Sequence, residues 1–355
     1  MSAAALAERA PAGATATTPP VLEVRDLRTQ FPGRDGAPPV RAVDGVSFAV
    51  GRGRVLGLVG ESGSGKSVTG FSVIGLVDPP GRVVSGQVLL DGEDLTRLPP
   101  EAMRRVRGAR VAMVFQDPLT TLNPLYTVGD QIAETITTHL DVSPAEARRR
   151  AVGWLERVGI PAAAQRVGAY PHEFSGGMRQ RVVIALALCA EPRLVVADEP
   201  TTALDVSIQA QVIALLKGLT REQGTSVMLV THDMGVIAEA ADRVAVMYAG
   251  RVVEVGPVRD VVKSPAHPYA AGLMASIPPL DRRVERLAQI DGSMPRLSAV
   301  PPGCPYNPRC PKVFGRCRTD RPDLLDAGPT RAACWLYDGR RDADEPPPEA
   351  RPRAA

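Results

Sequence analysis

Short apolar runs closed by a glycine or an acid recur along the chain: LEVRDL (22–27), RVLGLVG (54–60), QVLLDG (87–92), ARVAMVFQD (109–117), RLVVADEP (193–200), SVMLVTHD (226–233) and RVAVMYAG (243–250). Their length and β-branched content predict strands. Between several of them, apolar residues fall at three- and four-residue spacing, as in IQAQVIALLKGLT over 208–220, which predicts helices. Strands alternating with helices predict an α/β fold with a largely parallel sheet. From about 100 to 178 the alternation stops. Helix formers dominate there, as in AEARRRAVGWLERVG, and no strand is expected after Phe115, so a helical subdomain is predicted within a main domain over 21–256. Beyond 257 prolines multiply and cysteines gather, which predicts a separate small Cys-rich appendage over 257–339. Residues 1–20 are rich in Ala, Thr and Pro, and 340–355 in charge and Pro. Neither end carries enough apolar surface to offset its ordering entropy, so a disordered leader and tail are expected.

Composition narrows the class. With 355 residues, 44% hydrophobic and 23% charged, the chain is long enough for one large globular domain and an appendage. Lys and Arg number 42 against 39 Asp and Glu, and a net charge of +3 argues against a polybasic nucleic-acid scaffold. No run approaches the roughly 20 apolar residues of a membrane helix. The first residues lack the basic-then-apolar order of a secretory signal, so a cytoplasmic location is expected.

Candidate chemistry begins at Gly60-Glu-Ser-Gly-Ser-Gly-Lys66-Ser67, which fits GxxxxGK[ST] between a predicted strand and a predicted helix. In such a loop backbone N–H groups converge on phosphate oxygens at a helix N-terminus, Lys66 reaches the β- and γ-phosphates, and Ser67 offers a hydroxyl to Mg²⁺. Gly60, Ser62, Gly63, Ser64, Gly65, Lys66, Ser67 and Val68 are the candidate nucleotide contacts. The strand over 194–198 delivers Asp198 and then Glu199 at its C-terminal edge, where open α/β sheets place ligands. Asp198 suits the metal and Glu199 an attacking water. His232 ends another strand within reach of a γ-phosphate.

Phe174-Ser-Gly-Gly-Met-Arg-Gln-Arg181, before an apolar helix, makes the pattern specific. It resembles the signature motif of ATP-binding cassette (ABC) ATPases, and the phosphate loop, Gln116, Asp198-Glu199, Ala203-Leu204-Asp205 and His232 follow in that family's order. Ser175 and the N–H groups of Gly176 and Gly177 form a second anion site at a helix start. The resemblance implies a P-loop cassette with an antiparallel β edge, in which this second site closes on ATP held by another ABC ATPase chain, a paralogue or a second copy. It further implies that Gln116 sits near Mg²⁺ and the attacking water, that Phe31 stacks on adenine, and that Asp205 acts across the dimer interface. Met178 stands where Gln is usual in the family and resembles a peptide-importer variation.

The later motifs HPY (267–269), LMASIP (273–278), DGSMP (291–295) and PGCPYNPRCP (302–311) resemble the C-terminal region of oligopeptide/dipeptide importer ATPases, some of which serve nickel complexes or glutathione. That resemblance implies an ATPase on the cytoplasmic face of the membrane with two transmembrane permease subunits, an extracytoplasmic substrate-binding protein and no nucleic acid. A non-transport ABC ATPase acting on the ribosome or nucleic acid is the alternative, though such proteins commonly carry two cassettes or long insertions. Cys189 sits alone in the apolar helix. The other cysteines are spaced Cys304-x5-Cys310-x6-Cys317-x16-Cys334. A reducing compartment favours metal over disulfides, and the absence of close CxxC pairs favours an iron–sulfur cluster, as some relatives carry, over zinc. Zinc or free thiols stay open.

Overall fold

The computed structural model describes residues 19–33, 36–201, 205–277 and 288–339, without the side chains of 206 and 207. The expected tails lie outside the described residues except for positions 19 and 20, and so do Ala203 and Leu204.

Two sheets carry the architecture. In the first, β1 (Leu22–Phe31) pairs antiparallel with β2 (Val40–Val50) and, on its other side, with β4 (Arg82–Leu90). β5 (Glu93–Asp94) completes the order β2-β1-β4-β5. This is the antiparallel edge that the family resemblance implies. β2 was not among the predicted strands, although Val46, Phe48 and Val50 bury alternately with exposed Ser47 and Ala49, the period of a half-buried strand.

The second sheet is built on β3 (Val55–Val59), followed by β6 (Val111–Val114), β7 (Leu194–Asp198), β8 (Ser226–Thr231), β9 (Arg243–Tyr248), β10 (Arg251–Pro257), β11 (Leu325–Ala327) and β12 (Thr330–Ala332). Its order is β11-β12-β10-β9-β3-β8-β7-β6. The run β9-β3-β8-β7-β6 is parallel, as the alternation predicts, and β10, β12 and β11 add antiparallel partners. β3, β7 and β8 are buried along their whole length, as strands covered on both faces must be.

Helices supply that cover. α1 (Lys66–Val73) follows β3, and α2 (Pro100–Val106) precedes β6. Between β6 and β7 come α3 (Pro118–Thr121), α4 (Val128–His139), α5 (Pro144–Arg157), α6 (Ala163–Arg166) and α7 (Gly176–Leu188), the helical stretch the composition predicts. Thr127 caps α4 by accepting from Asp130 N–H at 3.1 Å, and Ser143 caps α5 by accepting from Glu146 N–H at 3.2 Å. Ile132, Ile136, Ala151 and Leu155 bury with Val182 and Ile184 of α7, so the signature helix is anchored in the helical region. α8 (Val206–Gln223) and α9 (Met234–Ala240) flank β8.

The region past 257 is not a separate appendage. α10 (Val258–Lys263), α11 (Pro268–Ala275) and α12 (Gly315–Thr319) lead into β11 and β12, and β12 joins the main sheet with Ala332 opposite Glu254. Tyr248 of β9, Tyr269 of α11 and Tyr306 pack as edge and tilted ring pairs with centroids 4.6–5.4 Å apart. The buried Glu254 carboxylate accepts from Ala266 N–H at 2.9 Å and His267 N–H at 2.8 Å, fixing the turn into α11. A proline-rich segment too small for its own core thus borrows a sheet edge and the rings beside it.

Candidate functional site

β3 ends between β8 and β9, inside the parallel run, and the chain turns there at Gly60. A Cβ at Gly60 would stand 2.2 Å from the Met247 carbonyl oxygen, and one at Gly65, whose φ is 100°, would stand 2.2 Å from that of Ala42. Both positions therefore require glycine. The loop delivers the N-terminus of α1, where unpaired N–H groups and the helix dipole favour an anion. Lys66 Nζ donates to the carbonyls of Gly60 at 2.9 Å and Glu61 at 3.0 Å. Burial pushes its pKa down, opposed by the carboxylates of Glu199, Asp198 and Glu61. Ser64 is buried, Val68 packs against the sheet, and Ser62 and Gly63 are exposed at the loop's crest.

Ser67 Oγ donates to Asp198 Oδ1 at 3.0 Å, bringing α1 and β7 together. Burial raises the Asp198 pKa; the Ser67 hydrogen bond and Lys66 oppose that rise while Glu199 adds to it. A hydroxyl and a carboxylate at this distance are hard oxygen donors that fit Mg²⁺. Glu199 follows with φ at +44°, a left-handed conformation that costs a non-glycine residue about 1–3 kcal/mol, and its N–H is tied to the Val230 carbonyl at 2.8 Å. The strain aims its carboxylate between two partners: Gln116 Nε2 donates to Oε2 at 3.3 Å, and His232 Nδ1 lies 3.1 Å from Oε1. Ser67, Gln116, Asp198 with Glu199, and His232, five residues from four separated stretches of sequence, thus meet at the end of the parallel strands beside the phosphate loop.

The signature segment stands apart from this group. Ser175 Oγ accepts from Met178 N–H at 3.4 Å at the start of α7, and Ser175 and Gly176 are exposed. Gly177 packs against Ile208, where a Cβ would stand 2.8 Å from the Ile208 Cγ2. Among the described residues no hydrogen bond or ion pair joins 175–177 to 60–67. Asp205 is exposed immediately before α8. Phe31 is half-buried at the end of β1, with ring atoms 2.4–2.8 Å from where a Cβ on Gly81 would stand.

Cys304, Cys310, Cys317 and Cys334 border one small cavity of about 10 Å³, room for about one water. Burial raises the thiol pKa values of Cys304, to about 11, of Cys310, and of Cys334, to about 12. None of the four is in a disulfide, and among the described residues no group of three or more His, Cys, Asp or Glu is placed to hold a metal ion. The four thiols are thus gathered without being placed as ligands, and the cavity they border, with room for about one water, is too small as it stands for the expected iron–sulfur cluster.

Sequence reasoning missed Glu61 and its partners. Arg309 Nη1 donates to both Glu61 carboxylate oxygens at 3.0 and 3.1 Å, and Tyr269 Oη accepts the Glu61 N–H at 2.9 Å.

Comparison with known proteins agrees with this geometry. Residues 43–202 match the family described as ABC transporter, and 253–317 match the oligopeptide/dipeptide transporter C-terminal region. The chain is 48% identical over 90% of its length to the oligopeptide transport ATP-binding protein AppD of Bacillus subtilis, covering 97% of that protein. It is likewise 48% identical over 86% of its length to the dipeptide transport ATP-binding protein DppD of Escherichia coli, covering 92% of it. Among solved structures, the dimeric post-hydrolysis state of the ATP-binding cassette MJ0796 bound to ADP and Pi superposes with a TM-score of 0.60 at 27% identity, covering 67% of this chain and 99% of that one.

Proposed function

The chain belongs to the ABC transporter ATP-binding family, among its oligopeptide and dipeptide transport ATPases, and on that premise we propose that it hydrolyses ATP to drive import of di- and oligopeptides. The observation that carries the ATPase reading is the meeting of Gln116, Asp198, Glu199 and His232 beside the Lys66 loop. Lys66 and the loop N–H groups neutralise and orient the polyphosphate. Ser67 and Asp198, with Gln116 nearby, are the residues that would hold Mg²⁺, which would supply further charge neutralisation. Glu199 orients and deprotonates the attacking water, and His232 steadies the γ-phosphate. Ser175, exposed, and Gly177, half-buried against Ile208, have no hydrogen bond to the chain's own phosphate loop among the described residues, and they complete the site of a second ATPase chain, with Asp205 at the same interface. Phe31 is the adenine contact.

Among the described residues no helix is long and apolar enough to cross a membrane. In this reading, which the family supports, the chain works at the cytoplasmic face through two permease subunits, with a substrate-binding protein on the far side. The unit over 21–256 does the chemistry, and 257–339 forms the importer-type extension. Purification of the tagged chain from detergent-extracted membranes is expected to bring two polytopic permeases in stoichiometric amount. Ribosomal or nucleic-acid-binding proteins without a permease would overturn the transport reading.

The finer reading of the extension is an iron–sulfur cluster on Cys304, Cys310, Cys317 and Cys334. Four thiols bordering one cavity support it, and loading requires that cavity to open. Anaerobically purified protein is then expected to contain iron and acid-labile sulfide in stoichiometric amount. Zinc alone, or no metal, overturns it.

A further inference from the structure

The C-terminal extension reaches into the phosphate loop at one residue. Every polar group of Glu61 is engaged: its carboxylate by Arg309, its N–H by Tyr269, and its carbonyl by Lys66 Nζ at 3.0 Å and Ser64 N–H at 3.2 Å. Two of those partners come from beyond residue 257. Arg309 is itself fixed, its side chain only 7% exposed. Its Nε donates to the Asp291 carbonyl at 2.9 Å, Nη2 donates to the carbonyls of Ile290 and Gly292 at 3.3 Å, and Nη1 lies 3.4 Å from the Tyr248 hydroxyl. The Met294 methyl sits 3.2 Å from where a Cβ on Gly63 would stand, so the same segment also approaches the loop's exposed crest.

We propose that Arg309 is a positioning residue for nucleotide binding, acting through Glu61. The pairing does two things. It fixes the peptide whose carbonyl Lys66 leans on, and it cancels a carboxylate that would otherwise stand unpaired beside a polyphosphate. The second effect grows with ligand charge, so ATP depends on Arg309 more than ADP does. Arg309 touches no nucleotide in this scheme, and the extension becomes a working part of the phosphate site as well as an importer-type module. The inference rests on the nucleotide-site reading above, whose own failure shows separately as undiminished Mg–ATP binding by Lys66→Ala.

The test is a double-mutant cycle on the purified full chain, with Kd for Mg–ATP and Mg–ADP read by calorimetry for wild type, Glu61→Gln, Arg309→Gln and the double variant. Arg309→Gln is expected to weaken ATP binding about tenfold and ADP about threefold, with the loss shrinking at high salt. In the Glu61→Gln background the same substitution is expected to cost under about twofold. Arg309→Lys, which keeps the charge and loses the fork, is expected to recover part of the affinity, to about threefold below wild type. Should Arg309→Gln not fold, the cycle is run with Arg309→Lys, expected to cost about threefold in wild type and nothing measurable with Glu61→Gln. An equal loss in both backgrounds, or no loss in folded protein, overturns the proposal.

Discussion

Glu199→Gln is expected to lower steady-state ATP hydrolysis by at least about a hundredfold while leaving Mg–ATP affinity within about twofold of wild type. The two side chains are nearly isosteric, and a glutamine oxygen can still accept from Gln116 Nε2 where the carboxylate now does at 3.3 Å. What disappears is the base and its negative charge. Binding rests on other groups, namely the loop N–H groups, Lys66 and the Ser67–Asp198 pair. The measurement is kcat in the assembled complex beside nucleotide Kd. Turnover within tenfold of wild type would remove Glu199 from the role of base.

Lys66→Ala is expected to weaken Mg–ATP binding by about tenfold to a hundredfold, since a hydrogen bond to a charged group contributes about 1.5–3 kcal/mol, and to abolish turnover. Lys66 is 5% exposed, and its ammonium is held by the Gly60 and Glu61 carbonyls at the centre of the loop. Burial depresses its pKa, so the folded state holds that charge at a cost that alanine removes. Nucleotide affinity is therefore expected to fall far more than thermal stability, and a thermal melt beside the binding isotherm separates the two. Binding equal to wild type would contradict the assignment of this loop to phosphate.

The two variants divide the site by function. One loses chemistry and keeps ligand; the other loses ligand. That division follows from where the sequence put its local motifs, and the local motifs are what could be read before any coordinates. The phosphate loop is contiguous and lies between a strand and a helix, and its glycines have no other residue that fits at Gly60 and Gly65. Asp198 and Glu199 are read from an apolar run ending in two acids, and Ser175 from a helix start. The strand at 40–50 carries its alternation only at 46–50, and two-residue periodicity over so few positions is a weak signal.

Other features depend on distance along the chain. The Glu61–Arg309 pair joins residues separated by 248 positions, and nothing local to either predicts the other. β11 and β12 span three residues each, too few for a period, and they form because the β10 edge is there to receive them. That edge is why the proline-rich region is woven into the cassette instead of hanging from it. The cysteine spacing leads to the expectation of a metal site, yet spacing says nothing of the room between the thiols, which border a cavity of about 10 Å³ with no group among the described residues placed to hold a metal.

The central claim is that ATP turnover on this chain drives peptide import. Its most direct test is uptake of labelled di- and oligopeptides by cells carrying Glu199→Gln at the native locus, with the chain's abundance and permease association verified. Loss of uptake for at least one peptide class, with the complex intact, is the predicted result. Wild-type uptake across the whole panel would contradict it.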